Sequence, residues 1–507
     1  MESEPQSSTR RIAIIGGGIA GLSSAWTLEK ARRSGQPIEY HLYEGSGRLG
    51  GVVASETIDG CVVEGGPDSF LTEKPAAAEL CRELGLGDQL LGSNDAERRT
   101  YILVRNRLIS LPDGLMFMVP TKLFPTALTP LFSWSTKLRM AREFLFPPAP
   151  ATEDESVAAM TRRHFGQETV DRLVSPLLSG VYGGDASQLS VRAVLPRMVE
   201  MEEKHGSLSR AMLAARKKGG APHSGANRPS RNSEAARARS LFTTLRGGMQ
   251  QMVDAVAARL APGSIHLSTP VRSIVHNSEY CTDPKPDCTY SCGWTLETAS
   301  GQESFDGLIV ALPAWTAASL LRPVDRLLAD LLAEVPYSSS ITVNLGYDIE
   351  RLHGLPPGFG YLVPATEKRR MLACTFVHAK FAGRMPAGKG MLRCFMGGTG
   401  NDRLLEESDA ALTETALREL SEVLGLRAQP SFVRIHRWRK AMAQYGVGHL
   451  ERMQQVRETV AHLPGFALAG NAYQGIGVPD CIRTGQQAAE TLLTFAQQQN
   501  SAATCAN

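Results

Sequence analysis

The sequence predicts an α/β protein in which a doubly wound nucleotide-binding domain, assembled from both ends of the chain, carries inserted segments of mixed α and β structure. Three observations predict it: a glycine turn between a strand and a helix at residues 16–21, an acidic residue closing the next strand, and a second glycine-rich junction near residue 470. The 507 residues suffice for roughly two to four domains with their own cores.

Ile12-Ala13-Ile14-Ile15 reads as a short buried strand that runs directly into Gly16-Gly17-Gly18-Ile19-Ala20-Gly21, and Leu22 to Ala31 reads as a helix. Gly16 permits the tight turn, Gly18 lets the backbone approach a pyrophosphate, and Gly21 lets helix and strand pack closely. The helix N-terminus offers N–H groups and a positive dipole end to the phosphates. A second strand, Glu39 to Tyr43, ends at Glu44, placed to accept hydrogen bonds from ribose hydroxyls. This is the Rossmann-type arrangement. Arg48 with Gly50 and Gly51 is expected to bring a cation and backbone donors to the same pyrophosphate. Gly65 and Gly66 form a further turn that can approach a flat ring, which nicotinamide enzymes do not need.

Further along, Glu73 to Leu84 and Glu155 to Leu178 read as helical, and Met249 to Leu260 as a helix before strands at Ile265 to Leu267 and Arg272 to Val275. Strands are expected at Tyr337 to Tyr347 and Met391 to Met396. Ser408-Asp409 begins a helix that Gly425 closes. Phe466 to Asn471 is a strand and turn, followed by Tyr473-Gln474-Gly475-Ile476-Gly477 and a helix from Thr484 to Phe495. That helix can aim its positive end at a reduced ring. No internal repeat is visible.

The net charge of +3 is too small to indicate a nucleic-acid partner. Much of the basic excess is local: Arg216 to Arg239 holds seven Arg or Lys against Glu234, in a Gly-, Ser- and Arg-rich insertion. The nine cysteines form no disulfide framework. The Cys281, Cys288 and Cys292 group fits no standard zinc spacing, so no metal is expected and a loop is the reading. Met1 to Arg10 has neither the apolar core of a signal peptide nor the acid-poor character of a transit peptide, so the expected compartment is the cytoplasm. No run of about eighteen apolar residues predicts a membrane span. Leu115 to Pro150 is the most membrane-like stretch, rich in Phe, Met and Pro, and can equally line a pocket, pack on the core or dip into a bilayer surface.

Several segments together resemble the oxygen-dependent porphyrinogen oxidases of haem synthesis, within the amine-oxidase-like flavoproteins. They are Gly470-Asn471-Ala472-Tyr473-Gln474-Gly475-Ile476-Gly477-Val478-Pro479-Asp480-Cys481-Ile482, Ser179 to Asp185, Arg99 to Leu103, Phe242 to Met249 and Trp438 to His449. The resemblance implies FAD as cofactor, held by the residues above together with Val271, Gly470, Val478, Pro479 and Asp480. It implies a FAD-binding domain from 1–90, 241–320 and 441–507, a helical pocket- or membrane-lining segment at 91–210, a flexible basic insertion at 211–240 and an α+β substrate domain at 321–440. It further implies six-electron oxidation of a porphyrinogen to a porphyrin, with oxygen as acceptor and hydrogen peroxide released. The chemistry is the flavin's, so no acid–base residue is named.

Gly180 matches the family position that touches the macrocycle, and the stretches of Met371 to Phe376 and Tyr337 to Leu345 match pocket walls. The protoporphyrinogen-oxidising animal and plant enzymes carry an Arg where this chain has Thr100, with Arg98 and Arg99 just upstream. That departure resembles the bacterial branch acting on coproporphyrinogen III, whose four propionates suit several cations; Arg98, Arg99 and Lys380 are the candidates. Protoporphyrinogen IX as substrate, another amine-oxidase-fold enzyme and a non-enzymatic flavoprotein scaffold stay open as alternatives. So do peripheral membrane contact on the inner face, hand-over to a ferrochelatase, and a monomer or homodimer.

Overall fold

The computed structural model describes residues 9–111, 115–116, 119–120, 128–218, 240–277 and 293–505. The Cys281–Cys292 loop and most of the basic insertion lie outside the described residues, as do Phe117, Met118 and Phe124.

The nucleotide-binding sheet starts with β1 (Arg10–Ile15), crosses through α1 (Ile19–Arg33) and returns as β2 (Ile38–Tyr43). Its five parallel strands run Ile265–His266, β2, β1, Gly307–Val310, Phe466–Leu468. In chain order this is third, second, first, fourth, fifth. Successive crossovers leave β1 toward opposite sides, which opens a crevice at its carboxyl end, where such folds take ligands. One face of α1 buries Leu22, Ala25 and Leu28 against Ile12 and Ile14.

Two serines are also buried in α1. Each satisfies its hydroxyl on the preceding turn, Ser23 on Ile19 and Ser24 on Ala20, and Ser24 also donates to the Gly485 carbonyl at 2.8 Å. The C-terminal helix, Val478–Cys505, lies against α1 so closely that a Cβ on Gly485 would stand 2.1 Å from the Ala20 carbonyl oxygen. The two ends of the chain therefore pack together, and this helix starts six residues earlier than Thr484.

A second sheet of seven strands runs Phe432–Ala443, Tyr337–Asp348, Lys389–Gly397, Met371–Phe376, Gly360–Leu362, Thr100–Val104, Arg107–Ser110. The helix Asp409–Leu424 covers its outer face, with Leu412, Ala416 and Leu420 packed on Ile341, Val343, Leu345 and Met396. Ser408 caps that helix through the Ala411 N–H, and Gly425 ends it in the left-handed region, as its sequence indicates.

A helical lobe closes one side with Trp134–Leu145, Val157–Phe165, Ser175–Tyr182, Pro196–His205 and Leu208–Lys218. The stretch Glu155 to Leu178, expected as one or two helices, is divided at Gly166, whose φ of +89° breaks the ladder. The lobe is tied internally by a buried His164, which meets Glu143 at 3.0 Å and Glu202 at 2.8 Å. Among the described residues, no helix is long and apolar enough to cross a membrane.

Candidate functional site

At the crevice, the turn after β1 is built by close approach. A Cβ on Gly16 would lie 2.5 Å from the Ala311 oxygen and one on Gly21 would lie 1.9 Å from the Gly16 oxygen. Gly18 differs from both: a Cβ there would meet nothing within 4 Å. Gly18 is the N-cap of α1 and no side chain caps that helix. A second glycine turn is zipped to the first through a Gly18–Gly50 bridge, with the Gly50 N–H donating to the Gly17 oxygen at 2.8 Å and Gly51 facing the Gly18 Cα. Glu44 holds the floor: its Oε2 accepts the Gly17 N–H at 2.8 Å and its Oε1 the Ser46 N–H at 2.7 Å. A carboxylate has about four lone-pair sites, so hydroxyl donors can still be accepted. Val271 ends the run 267–271, whose Ser268 and Thr269 N–H groups bond the carbonyls of Ser46 and Glu44. The Arg48 guanidinium reaches the carbonyls of Leu49, Gly51 and Val53. It braces the second turn, a role its position in the sequence did not suggest.

The Gly65–Gly66 turn lies between the segment after the second glycine turn and the seven-stranded sheet. A Cβ on Gly66 would lie 1.7 Å from the Val52 oxygen, and one on Gly65 2.6 Å from the His436 ring, so protein packing alone requires glycine at both. The seven-stranded sheet clamps this turn from its inner face. Gly65 O accepts Trp438 Nε1 at 2.8 Å and Thr342 Oγ1 at 2.9 Å; Glu64 O accepts Asn344 Nδ2 at 3.2 Å; Arg393 donates to Gly66 O. Sequence reasoning missed Arg393 and the clamp itself; Thr342 and Asn344 fall in the Tyr337 to Leu345 stretch expected as a pocket wall, and Trp438 in a family-like segment, without a role for any of the three. The available signal was Ser340, Thr342 and Asn344 at every second position of a strand otherwise built for burial.

Beside the turn lies a buried ionic cluster. Arg384 pairs with Glu64, and Lys380 Nζ reaches both Asp68 oxygens at 3.0 and 3.2 Å while lying over the Phe242 and Phe381 rings. Burial alone would raise the Asp68 pKa, but the Lys380 and Arg393 charges hold it well below the usual carboxylate range. Lys380 is therefore committed to Asp68, which corrects its reading as a cation awaiting a propionate.

The C-terminal junction is equally fixed. Gly470 sits at φ +133°. Tyr337 OH accepts the Ala314 N–H and donates to Asn471 Oδ1, and Tyr445 OH donates to Asn471 O and accepts the Gly475 N–H at 2.7 Å. Val478 and Pro479 open the C-terminal helix. Asp480 accepts Lys74 Nζ at 2.6 Å and the Gly477 N–H at 3.3 Å, so its carboxylate braces the loop from within the protein.

The register of the seven-stranded sheet sets Thr342, Phe395, Ala373, Leu362 and Ile102 side by side on the inner face, a strip running from the glycine turn toward the helical lobe. Gly180 meets this strip: a Cβ there would lie 3.0 Å from Leu362 Cδ2. Thr100, paired with Gly360, begins the strand next to the edge, and Arg98 and Arg99 are exposed just before it. Met371 and Phe376 are not on the strip. Alternation from Ala373 turns Phe376 toward the outer face, and a register shift between residues 371 and 373 sets Met371 there too, opposite Met396; both are buried in the core under Asp409–Leu424. The expectation that they wall a pocket is corrected by this parity; Phe395 and Leu362 stand there instead.

Comparison with known proteins finds the model of the flavin containing amine oxidoreductases matching residues 19–493. A coproporphyrinogen III oxidase of Bacillus subtilis is 32% identical, covering 96% of this chain and 98% of the relative. One from Propionibacterium freudenreichii is 31% identical, covering 97% and 92%. Protoporphyrinogen oxidase 2 of Arabidopsis thaliana is 25% identical, covering 96% and 94%. Among solved structures, a candidate protoporphyrinogen oxidase from Exiguobacterium superposes with a TM-score of 0.82 at 30% identity, covering 96% of this chain and 99% of that one.

Proposed function

The chain belongs to the flavin containing amine oxidoreductases, and from that premise we propose that it is an FAD-dependent oxidase converting coproporphyrinogen III to coproporphyrin III. The observation that carries the reading is the apolar strip between the Gly65–Gly66 turn and Gly180, which gives a macrocycle a wall leading away from the nucleotide crevice. Near-full-length likeness to bacterial coproporphyrinogen III oxidases supports the substrate class.

The crevice fits FAD. The open space at Gly18 admits a pyrophosphate against the N-terminus of α1, with Gly50 and Gly51 closing the other side. Glu44 has acceptor capacity for ribose hydroxyls, and the Gly65–Gly66 turn and the first turn of Val478–Cys505 stand where a ring would be held. When bound, the flavin supplies hydride acceptance from the substrate and re-oxidation by oxygen, with peroxide as the product. The protein's share is to position and to exclude water. Trp438, Thr342, Asn344 and Arg393 keep the Gly65–Gly66 turn rigid, Phe395 and Leu362 present an apolar face to the macrocycle, and Gly180 leaves room beside it. Arg98 and Arg99, exposed at the sheet's far side, suit the outlying propionates of a four-carboxylate substrate better than a single buried clamp would.

The reading extends to a membrane surface on the cytoplasmic side. The helix Trp134–Leu145 exposes Trp134 and Leu138, with Leu145 and Phe146 exposed at its end, and Lys137 and Arg142 are basic neighbours that suit anionic lipid. Delivery of the product to a ferrochelatase is part of the same reading.

The test is aerobic turnover of the FAD-loaded protein with each porphyrinogen in the dark, followed by porphyrin fluorescence and peroxide. Faster oxidation of coproporphyrinogen III is expected. Equal or faster oxidation of protoporphyrinogen IX overturns the substrate choice, and turnover of neither overturns the function.

A further inference from the structure

The buried charges beside the Gly65–Gly66 turn do not cancel. Two carboxylates, Glu64 and Asp68, face three cations, Lys380, Arg384 and Arg393, and Glu64, Arg384 and Arg393 are each no more than 3% exposed. Arg384 is bonded to Glu64 and Lys380 to Asp68, which leaves Arg393 as the excess. Its nearest carboxylate oxygen, on Asp68, is 3.8 Å away, an ion-pair contact that Asp68 shares with the closer Lys380 and too long for a hydrogen bond, and its guanidinium lies over the Phe395 ring. Its Nη2 is spent on the carbonyls of Gly65 and Gly66, and its Nε has no partner.

Hydrogen bonding to those carbonyls needs no charge, since Asn344 does the same for Glu64 O from the neighbouring strand. Removing a full guanidinium from water without its own counter-ion is costly. In so dry a surrounding its field is weakly screened and reaches whatever rests on the turn.

We propose that Arg393 is a positioning residue for the flavin with two separable effects. Its fork fixes the Gly65–Gly66 turn, and its charge, only partly offset by an Asp68 it shares with Lys380, raises the reduction potential of a ring that gains negative charge when reduced. This rests on the reading above that the ring lies against that turn.

The test measures the midpoint potential and the FAD dissociation constant of resting holoenzyme, without substrate, in three variants. Arg393→Met removes the charge and the fork. It should lower the potential by about 30 mV or more, a tenfold shift in a two-electron equilibrium, and weaken FAD binding several-fold. Arg393→Lys keeps the charge and loses the fork, so binding should weaken while the potential stays near the wild-type value. Asp68→Asn enlarges the positive excess and should move the potential upward. An unchanged potential in Arg393→Met, or shifts of the same sign in Arg393→Met and Asp68→Asn, overturns the proposal. If Arg393→Met does not fold, an unchanged or lowered potential in Asp68→Asn overturns it alone. Because no substrate is present, a holoenzyme that turns over neither porphyrinogen would sink the proposed function while these potentials still decided the role of Arg393.

Discussion

In the parallel sheet, the groups turned toward the crevice belong to the backbone: glycine at 18 leaves open space at the N-terminus of α1, glycine at 50 and 51 packs a second turn against it, and Glu44 holds the turns in place. In the seven-stranded sheet they are side chains, Thr342, Asn344, Phe395 and Arg393, drawn from two strands that lie beside each other although about fifty residues apart in sequence. The first arrangement is local. A strand, a turn and a helix within some 35 residues create it, and its spacing is written in one stretch of sequence. The second exists only after strand pairing, because a shift of one residue in register would send every one of these side chains to the opposite face.

The largest effect should come from Gly18→Val. Nothing stands within 4 Å of a Cβ at this position, so the apoprotein should keep its circular dichroism spectrum and melting temperature while flavin absorbance disappears. Retained flavin would break the comparison at its local end. Arg384→Ala should act in the opposite way, on the fold first. It strands a buried Glu64, which costs about 3–5 kcal/mol in denaturant unfolding. A loss below about 1 kcal/mol would mean that the inter-sheet cluster is not structural.

Gly66→Ala tests whether one residue type plays both parts. Its Cβ would press on the Val52 oxygen at 1.7 Å, so a loss of about 3 kcal/mol is expected, unlike at Gly18. Equal stability of the two glycine variants would remove the distinction.

The smallest effect belongs to the helical lobe, away from both sheets. Burial would lower the His164 pKa, but Glu143 and Glu202 raise it above 6.5; burial would raise Glu202, but His164 and Arg163 hold it at about 2. Stability from His164 is therefore fully present below about pH 6.5 and is lost as pH climbs through its folded value. Stability from Glu202 is present above about pH 4.5 and is lost on acidification toward 2. The unfolding free-energy advantage of wild type over His164→Gln should shrink above neutrality, with a slope no steeper than about 1.4 kcal/mol per pH unit. A pH-independent difference would contradict the paired imidazolium.

These contrasts explain what could be read from the chain alone. Gly16, Gly18, Gly21 and Glu44 were legible because each role is set by neighbours in sequence. The helix after Ser408 was legible because its cap and its closing glycine are local. The parity of Met371 and Phe376 was not, since the face of Phe376 depends on how its strand pairs with Lys389–Gly397 and that of Met371 on a register shift between residues 371 and 373. Lys380 reads from the sequence as a cation for a propionate because nothing nearby in sequence announces Asp68, 312 residues away. Asp480 and Arg48 were read as facing a ligand because motif position conveys proximity to a site, not which atoms a side chain bonds.

The account depends most on the two ends of the chain jointly holding FAD. The most direct measurement is the absorbance spectrum of the purified protein and its Gly18→Val variant after incubation with FAD and removal of the unbound cofactor. The account predicts a yellow wild type with flavin in proportion to chain and a folded, colourless variant. A wild type that stays colourless, or a variant that is equally yellow, would contradict it.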